Sequence, residues 1–287
     1  MGESVEERMQ RLQEVFKAAK AIAEATTDLA KLVEEIEALD EVFVSVAYEA
    51  ASMGVALTDL ANGNDLVQWK KWLEYGQAHA TQVYIGLGWA LGQQQVNLLD
   101  FIKAETPILS WRILDGCGYY DGFFRKRKVQ QGIYPNTLTD NVLEVYMQGV
   151  GRSLWYTTKG KLPKLEKWLL ALPKKFLPSL WRGIGIASTY VGGGTTEYWQ
   201  ELYQQADAYQ ANLLAGAVMA VSSRVQAQTA DNCHLGGFET WTAISVTEAN
   251  LLAENAKKEA LSTGDNVYRT WIKSMDDILG NFSLKNL

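Results

Sequence analysis

An all-α protein built from helix-pair repeats of about 32 residues, forming an α/α toroid or a curved α-solenoid, is what this sequence predicts. Three observations predict it. Proline is scarce, 5 in 287 residues, so few positions remove a helical hydrogen bond or clash with the preceding turn. Apolar residues recur at three- and four-residue spacing along most of the chain. Five segments also share one pattern: an apolar or aromatic start, a small-x-small pair, then more apolar residues. They read YIGLGWAL, LDGCGYYDGFF, YMQGVGRSLWY, WRGIGIASTYVGG and LLAGAVMAVSSR. The second small residues, Gly88, Gly118, Gly151, Gly185 and Ala217, follow one another at intervals of about 30–34 residues, a period typical of stacked helix pairs.

Each element has its own signal. Val5 to Ala25 carries Val5, Met9, Leu12, Phe16, Ala19 and Ile22 on one face, which is helical spacing with a polar back. Thr27 and Asp28 cap a second helix bearing Leu29, Leu32, Val33 and Ile36. Residues 1–39 are therefore N-terminal helices, expected to fold back onto a helical-repeat domain over 40–287. VFVSVAY, Val42 to Tyr48, is β-branched but continues in phase into EAASMGVALTDL, so it is expected to be helical; Ser52 and Gly54 there form a weaker copy of the repeat. Pro163–Leu172 followed by Lys174–Val191 pairs a short outer helix with a longer inner one, with Pro173 and Pro178 marking the restart. Thr195–Gln204 and Tyr209–Gln226 repeat the arrangement. Between Lys128 and Asp140, Gly132, Pro135 and Asn136 predict a loop in place of most of an outer helix. Thr229–Phe238 is expected to be irregular, ahead of helices around Ala243–Ala260 and Val267–Leu279. No alternating run is long enough to predict a strand. Glycine inside a helix costs about 1 kcal/mol relative to alanine. Gly88, Gly118, Gly151 and Gly185 are therefore expected at equivalent buried positions, where neighbouring helix backbones approach closely.

Composition narrows the function. The net charge is −6, which argues against nucleic acid, whose phosphates need a basic face. Two cysteines, Cys117 and Cys233, make no disulfide framework and suit a reducing compartment. The N-terminus MGESVEERMQ lacks the apolar core of a secretory signal. No run reaches the roughly 18 apolar residues of a membrane span; the longest candidate is Leu213–Val221. A cytoplasmic protein with no transmembrane segment is expected. Ten Trp and thirteen Tyr must fill a thick core, line a cavity, or both.

The repeat blocks carry a family resemblance. LDGCGYYDGFFRKRK, YMQGVGRSLWY and LWRGIGIASTYVGG, with the earlier YEAASMGVALTDL and HATQVYIGLGWAL, resemble signature blocks of an uncharacterised family encoded beside enediyne polyketide synthases. The resemblance covers residues of about 40–260. It implies a role in specialised-metabolite biosynthesis and specifies no reaction. TADNCHLGGFETW departs from the family's His-Thr-acid-Ala-Cys block, so no role passes to Asp231, Cys233 or His234.

The chemistry-bearing residues follow. Only two histidines occur, with no Glu-x-x-His and no Cys-x-x-Cys, so no protein-bound metal and no cofactor is expected; Mg²⁺ held by carboxylates and a diphosphate stays open. Gly-x-Gly here lies inside helices, which excludes the dinucleotide fingerprint. Basic residues Arg125 to Lys128 suit a helix C-terminus. Glu49, Asp59, Asp115 and Asp121 lie on glycine-bearing helices. A carboxylic acid in an apolar aromatic pocket has a raised pKa and can serve as general acid; the same acids can instead cap helices or pair with Arg112, Arg125 and Arg152. His79 is a candidate proton shuttle. Arg152 can hold a carboxylate or phosphate, or pair with Asp115 or Glu144. Tyr84, Trp89, Tyr119, Phe124, Trp155, Tyr156 and Tyr190 are expected to line a substrate cavity of several hundred Å³. Cys117 between two glycines lacks a nearby histidine and is expected to be structural. Together these predict an apolar small-molecule substrate, a polyene or an isoprenoid, in a cofactor-independent cyclase, isomerase or lyase. The alternative is a non-catalytic scaffold docking a biosynthetic protein partner.

Overall fold

The computed structural model describes residues 3–281 except 64, 104, 105, 139, 231 and 265; residues 140, 232–234 and 236 are described by backbone alone. Every regular element among the described residues is helical. The α-helices are α1 (Val5–Ala25), α2 (Leu29–Glu37), α3 (Val44–Asn62), α4 (Val67–Tyr75), α5 (Ala80–Gln94), α6 (Arg112–Phe124), α7 (Lys126–Gln130), α8 (Asp140–Thr158), α9 (Leu162–Leu170), α10 (Leu177–Val191), α11 (Thr196–Ala206), α12 (Gln210–Gln226), α13 (Asn232–Thr242), α14 (Val246–Thr263) and α15 (Val267–Gly280). Local chemistry sets their ends. Ser4 and Glu7 form a reciprocal capping box on α1, as Ser245 and Glu248 do on α14. Asp28 caps α2 through the N–H groups of Ala30 and Lys31. Gly63 ends α3 in the left-handed region at φ 66°.

Helices α3, α5, α6, α8, α10 and α12 lie side by side in chain order, each packed on the next, with α1 along α3 and α14 and α15 on α12. Shorter α4, α9 and α11 precede the longer α5, α10 and α12. The 128–140 segment holds only the short α7 and then loop, as predicted. The β-branched Val42–Tyr48 run is helical from Val44; before it, the N–H groups of Val42 and Phe43 bond Asp40 Oδ1 at 2.9 and 3.0 Å in a turn. One expectation fails. The stretch expected to be irregular, Thr229–Phe238, contains most of α13. Buried Leu235, Phe238 and Trp241 recur every three residues and give it an anchored face, with Trp241 stacked on Trp199 at 5.7 Å. Paired glycines within it hid that spacing.

The glycines explain how the inner helices pack. Residues two apart on a helix point about 200° apart, so the members of a Gly-x-Gly pair face opposite neighbours. Gly116 on α6 abuts the Ile85 carbonyl of α5, and Gly118 abuts the Tyr146 carbonyl of α8. Gly149 abuts Asp115 of α6 and Gly151 abuts Leu180 of α10; Gly183 abuts Gln148 of α8 and Gly185 abuts Leu213 of α12. At each of these positions a Cβ would lie less than 3.0 Å from that backbone oxygen, closer than real side chains approach. The register is the same every time: each contacted carbonyl sits three residues before a small residue of the neighbouring pair. Gly88, against Ile113 of α6, obeys it as well. On α3 the residue in register is Ser52, whose hydroxyl bonds the Val83 carbonyl of α5 at 2.6 Å; Gly54 instead faces Ala23 of α1.

Candidate functional site

The register that packs the inner helices also decides which residues face inward. One residue after the second small position come Trp89, Tyr119, Arg152 and Ile186, all lining one central cavity. Three residues before it come Glu49 (counted from Ser52), Ile85 and Asp115, which line it too. Tyr156 and Tyr190, five residues after, complete the aromatic wall. Leu12 and Phe16 of α1 and Met219, Ala220 and Ser223 of α12 close the remainder. The cavity has a volume of about 50 Å³, the space of a few water molecules. The expected several hundred Å³ are absent because the rings occupy them: Trp89 and Tyr119 lie 4.6 Å apart and Tyr119 and Tyr156 5.5 Å apart, centroid to centroid.

Charges converge in this aromatic box. Arg152 on α8 donates to Asp115 Oδ1, and its Nη2 lies 4.0 Å from Glu49 Oε2. Gln148, one turn earlier, donates to Asp115 Oδ2 at 2.6 Å and to Tyr268 Oη at 3.2 Å. Asp115 is fully buried with both oxygens satisfied. Glu49 is different. Burial pushes its carboxyl up to about 7; Arg152 opposes the rise, Asp115 adds to it, and the Trp89 indole acts on the carboxylate from outside hydrogen-bond geometry. Burial works against the Arg152 cation, but Asp115 and Glu49 outweigh it and its pKa is raised. Burial likewise raises the phenols of Tyr119, Tyr156 and Tyr190. A partly protonated acid, an ion pair and neutral phenols thus share one buried site near neutral pH.

Four donors of lining residues have no hydrogen-bond partner: Trp89 Nε1, Arg112 Nε, Arg152 Nε and Tyr190 Oη. Eleven other buried side-chain atoms among the described residues also lack a partner; what sets these four apart is that they line one cavity.

The structure brings together Glu49, Asp115, Arg152, Trp89, Tyr119, Tyr156 and Tyr190 of the sequence candidates and separates the others. Asp59 accepts from the Trp69 N–H at 2.9 Å, holding α4 to α3. Asp121 accepts from Arg125 at 2.9 Å and Tyr146 at 2.8 Å beside a different cleft, of about 530 Å³. His79 contacts Ser45 Oγ at 2.8 Å through Nδ1 and stacks on Tyr48 at 4.2 Å; burial lowers its pKa. It is a packing histidine, away from the cavity lining. Tyr84 packs edge-on to Trp69, and Trp155 edge-on to Tyr198. Phe124 is 58% exposed. Cys117 is buried, its thiol pushed well up by burial, which suits a structural role. Asp231 and the side chains of Cys233 and His234 lie outside the described residues.

Tyr156, one of the aromatic residues of the repeat blocks, lines the cavity one turn after Arg152. Arg112 and Gln82 line it as well, without a ligand role assigned to them from the sequence. Arg112 precedes Asp115 by a turn on α6 in the same way. Gln82 has no distinguishing signal.

Among the described residues no cluster of three or more His, Cys, Asp or Glu could hold a metal ion, and no helix is long and apolar enough to cross a membrane. Residues 2–278 match the family described as "Protein of unknown function (DUF1702)". The match takes in α1 and α2 as well as the repeat blocks. No curated protein and no solved structure matches the chain.

Proposed function

The chain belongs to the DUF1702 family, and we propose that it is a cofactor-independent enzyme of specialised-metabolite biosynthesis in which Glu49 donates a proton to an apolar intermediate. The supporting observation is a buried Glu49, its carboxyl raised to about 7 and set in an aromatic wall. An acid with a pKa near working pH is partly protonated and still acidic enough to transfer the proton. Protonation of an alkene carbon of a polyene or isoprenoid leaves a carbocation, which the faces of electron-rich rings stabilise. Loss of a proton from a neighbouring carbon back to the Glu49 carboxylate completes an isomerisation or cyclisation without net change in composition. Arg152, itself fixed by Asp115, lies 4.0 Å from the carboxylate and attracts it.

The helix order supports a closed α/α toroid over an open solenoid. Arg224 near the end of α12 donates to the Val42 carbonyl ahead of α3 at 2.8 Å, and Gln82 of α5 donates to Ser223 of α12 at 2.9 Å. The block resemblance supports a setting in natural-product biosynthesis, of the enediyne kind or another, and the two-cysteine composition supports the cytoplasm. One observation favours a scaffold docking a biosynthetic protein partner: the cleft of about 530 Å³ beside the 131–137 loop, where Ile133 is 54% exposed. A scaffold has no use for a raised buried acid, so the enzymatic assignment is preferred.

Incubation with polyene and prenyl diphosphate candidates, with product analysis, tests it. A new product isomeric with its substrate should form, and Glu49→Gln should slow its formation by about 10²–10⁴-fold while melting as a folded protein. Turnover by Glu49→Gln at the wild-type rate would remove Glu49 as the acid. A stable complex with a neighbouring synthase that forms equally well with Glu49→Gln, without any product, would favour the scaffold.

A further inference from the structure

Arg112 is the buried charge that the proton-transfer mechanism leaves unused. It opens α6, is 6% exposed, and lines the central cavity. Its guanidinium makes no ion pair or hydrogen bond with a described residue, and its Nε–H is both buried and unpartnered. What holds it are two aromatic faces, Tyr268 at 5.5 Å and Trp271 at 5.1 Å, both from α15. These fix the plane of the fork, and no carboxylate of a described residue pairs with it directly. Arg152, one helix away, is different because Asp115 neutralises it. A buried cation without a counter-charge is strongly unfavourable in a folded chain. Beside it stand the unpartnered Trp89 Nε1, Arg152 Nε and Tyr190 Oη. Three of the four groups can only donate and the Tyr190 hydroxyl can donate too, so an acceptor would satisfy all four, and a guanidinium without a direct ion pair favours a negative one. A planar fork with parallel N–H groups matches an oxyanion bidentately.

The body of such a ligand has a place to go. A second cleft, of about 360 Å³, lies between the start of α5, the 106–109 turn and helices α12 and α14. Ala78, Ala80, Pro107, Ile108 and Leu109 give it an apolar floor. Thr81, Gln82 and Ser223 line both this cleft and the central cavity, so these three side chains form the partition. The partition is held by the Gln82 Nε2 to Ser223 Oγ hydrogen bond of 2.9 Å. Breaking that one bond costs little, because both groups can turn to water in the cleft. Cavity and cleft joined reach the few hundred Å³ of ordinary ligand sites.

Resting on the central cavity as the ligand site, we infer that the protein binds an amphiphile with an oxyanion head, a carboxylate or a phosphate. Its head lies on Arg112, the carbons next to the head face Glu49, and the rest of its apolar body passes between Gln82 and Ser223 into the outer cleft. The head site is small, which favours a carboxylate over a diphosphate.

Calorimetric titration of the full chain with decanoate, decyl phosphate and decanol tests the assignment. Decanoate should bind about tenfold or more tightly than decanol, and Arg112→Met should cut that preference to about threefold or less. A preference for decyl phosphate that Arg112→Met also abolishes would assign the phosphate head instead. Arg112→Lys, which keeps the charge, should retain part of the preference; if Arg112→Met does not fold, Arg112→Lys and the wild-type comparison decide. Decanol binding as tightly as both anions, or Arg112→Met keeping the anion preference, overturns the oxyanion site and leaves the apolar cavity standing. Failure of all three probes to bind overturns both. Anion binding that survives in Glu49→Gln together with loss of turnover separates the head site from the acid.

Discussion

Replacing Gly151 with alanine tests the packing of the inner helices at one atom. In an unconstrained helix the change is favourable by about 1 kcal/mol. Here the new methyl would fall within 3.0 Å of three backbone atoms of Leu180: its oxygen, carbonyl carbon and Cα. A side chain could swing aside, but the backbone of α10 cannot do so alone. Restoring ordinary contact of 3.4 Å or more requires α8 and α10 to separate by about 1 Å, and a gap of that size forfeits a quarter to a half of each contact it opens. Overpacking costs about 1–3 kcal/mol, more where the backbone must yield. Subtracting the gain in propensity leaves a net loss of about 2 kcal/mol, or roughly 4 °C in Tm for a chain of this size. Gly280→Ala is the matched control. It is also helical, its added Cβ would meet only Ala211 Cβ at 3.9 Å, and it should be neutral or stabilising by up to about 1 kcal/mol. Urea denaturation followed by circular dichroism compares the two. A Gly151→Ala midpoint equal to or above that of Gly280→Ala would refute the close-approach account of the repeat.

Two further outcomes concern the charged cluster. Glu49 titrates at about 7 in the folded chain against a model-peptide value near 4.5. The folded state therefore holds this proton more tightly, and the stability from Glu49 is fully present below about pH 4.5 and is lost as pH rises to about 7. The swing is of order 3 kcal/mol. The titratable groups that share its cavity are Arg112, Asp115 and Tyr119 of α6, Arg152 and Tyr156 of α8, and Tyr190 of α10. Leu12 and Phe16 of α1 and Ile85 and Trp89 of α5 supply only uncharged surface. The wild-type minus Glu49→Gln difference in unfolding free energy, measured from pH 4.5 to 8, should fall with rising pH; a flat difference would contradict the raised pKa. Arg152→Met leaves Asp115 buried with Gln148 as its remaining donor and should destabilise by about 3–5 kcal/mol, read from urea midpoints. Loss of less than about 1 kcal/mol would show that Asp115 is not ionised against Arg152.

The all-helical architecture and the glycine contacts were legible because both follow from spacing, which a single sequence displays directly. Gly88, Gly118, Gly151 and Gly185 lie where the period puts them. Helix α13 was less visible, since its three-residue spacing of Leu235, Phe238 and Trp241 is diluted by glycines. The site was half legible. Asp115, Tyr119 and Arg152 stand at fixed offsets from their glycines, and those offsets carry them inward. Phe124, Trp155 and Asp121 share the same helices at other offsets and point elsewhere, so residue type without phase misplaced them. Asp59 and His79 lie outside the cavity lining, bonded to the Trp69 N–H and to Ser45 Oγ. The Arg112 site arises from α15 stacking on α6, a contact between segments far apart in the chain, which no local spacing records.

The register of the glycine pairs also divides the chain into lengths that can change and lengths that cannot. A residue added between Gly149 and Gly151 turns one contact by about 100° from its neighbour and unlocks α8 from either α6 or α10. Residues added outside the inner helices turn nothing, because each inner helix is located by its two flanking carbonyls and not by the connection leading into it. The connections already vary accordingly, from a full outer helix at α9 to the loop that follows α7. Those connections are where such a chain can acquire new segments in its history, or accept a fused tag in the laboratory, without disturbing the cavity.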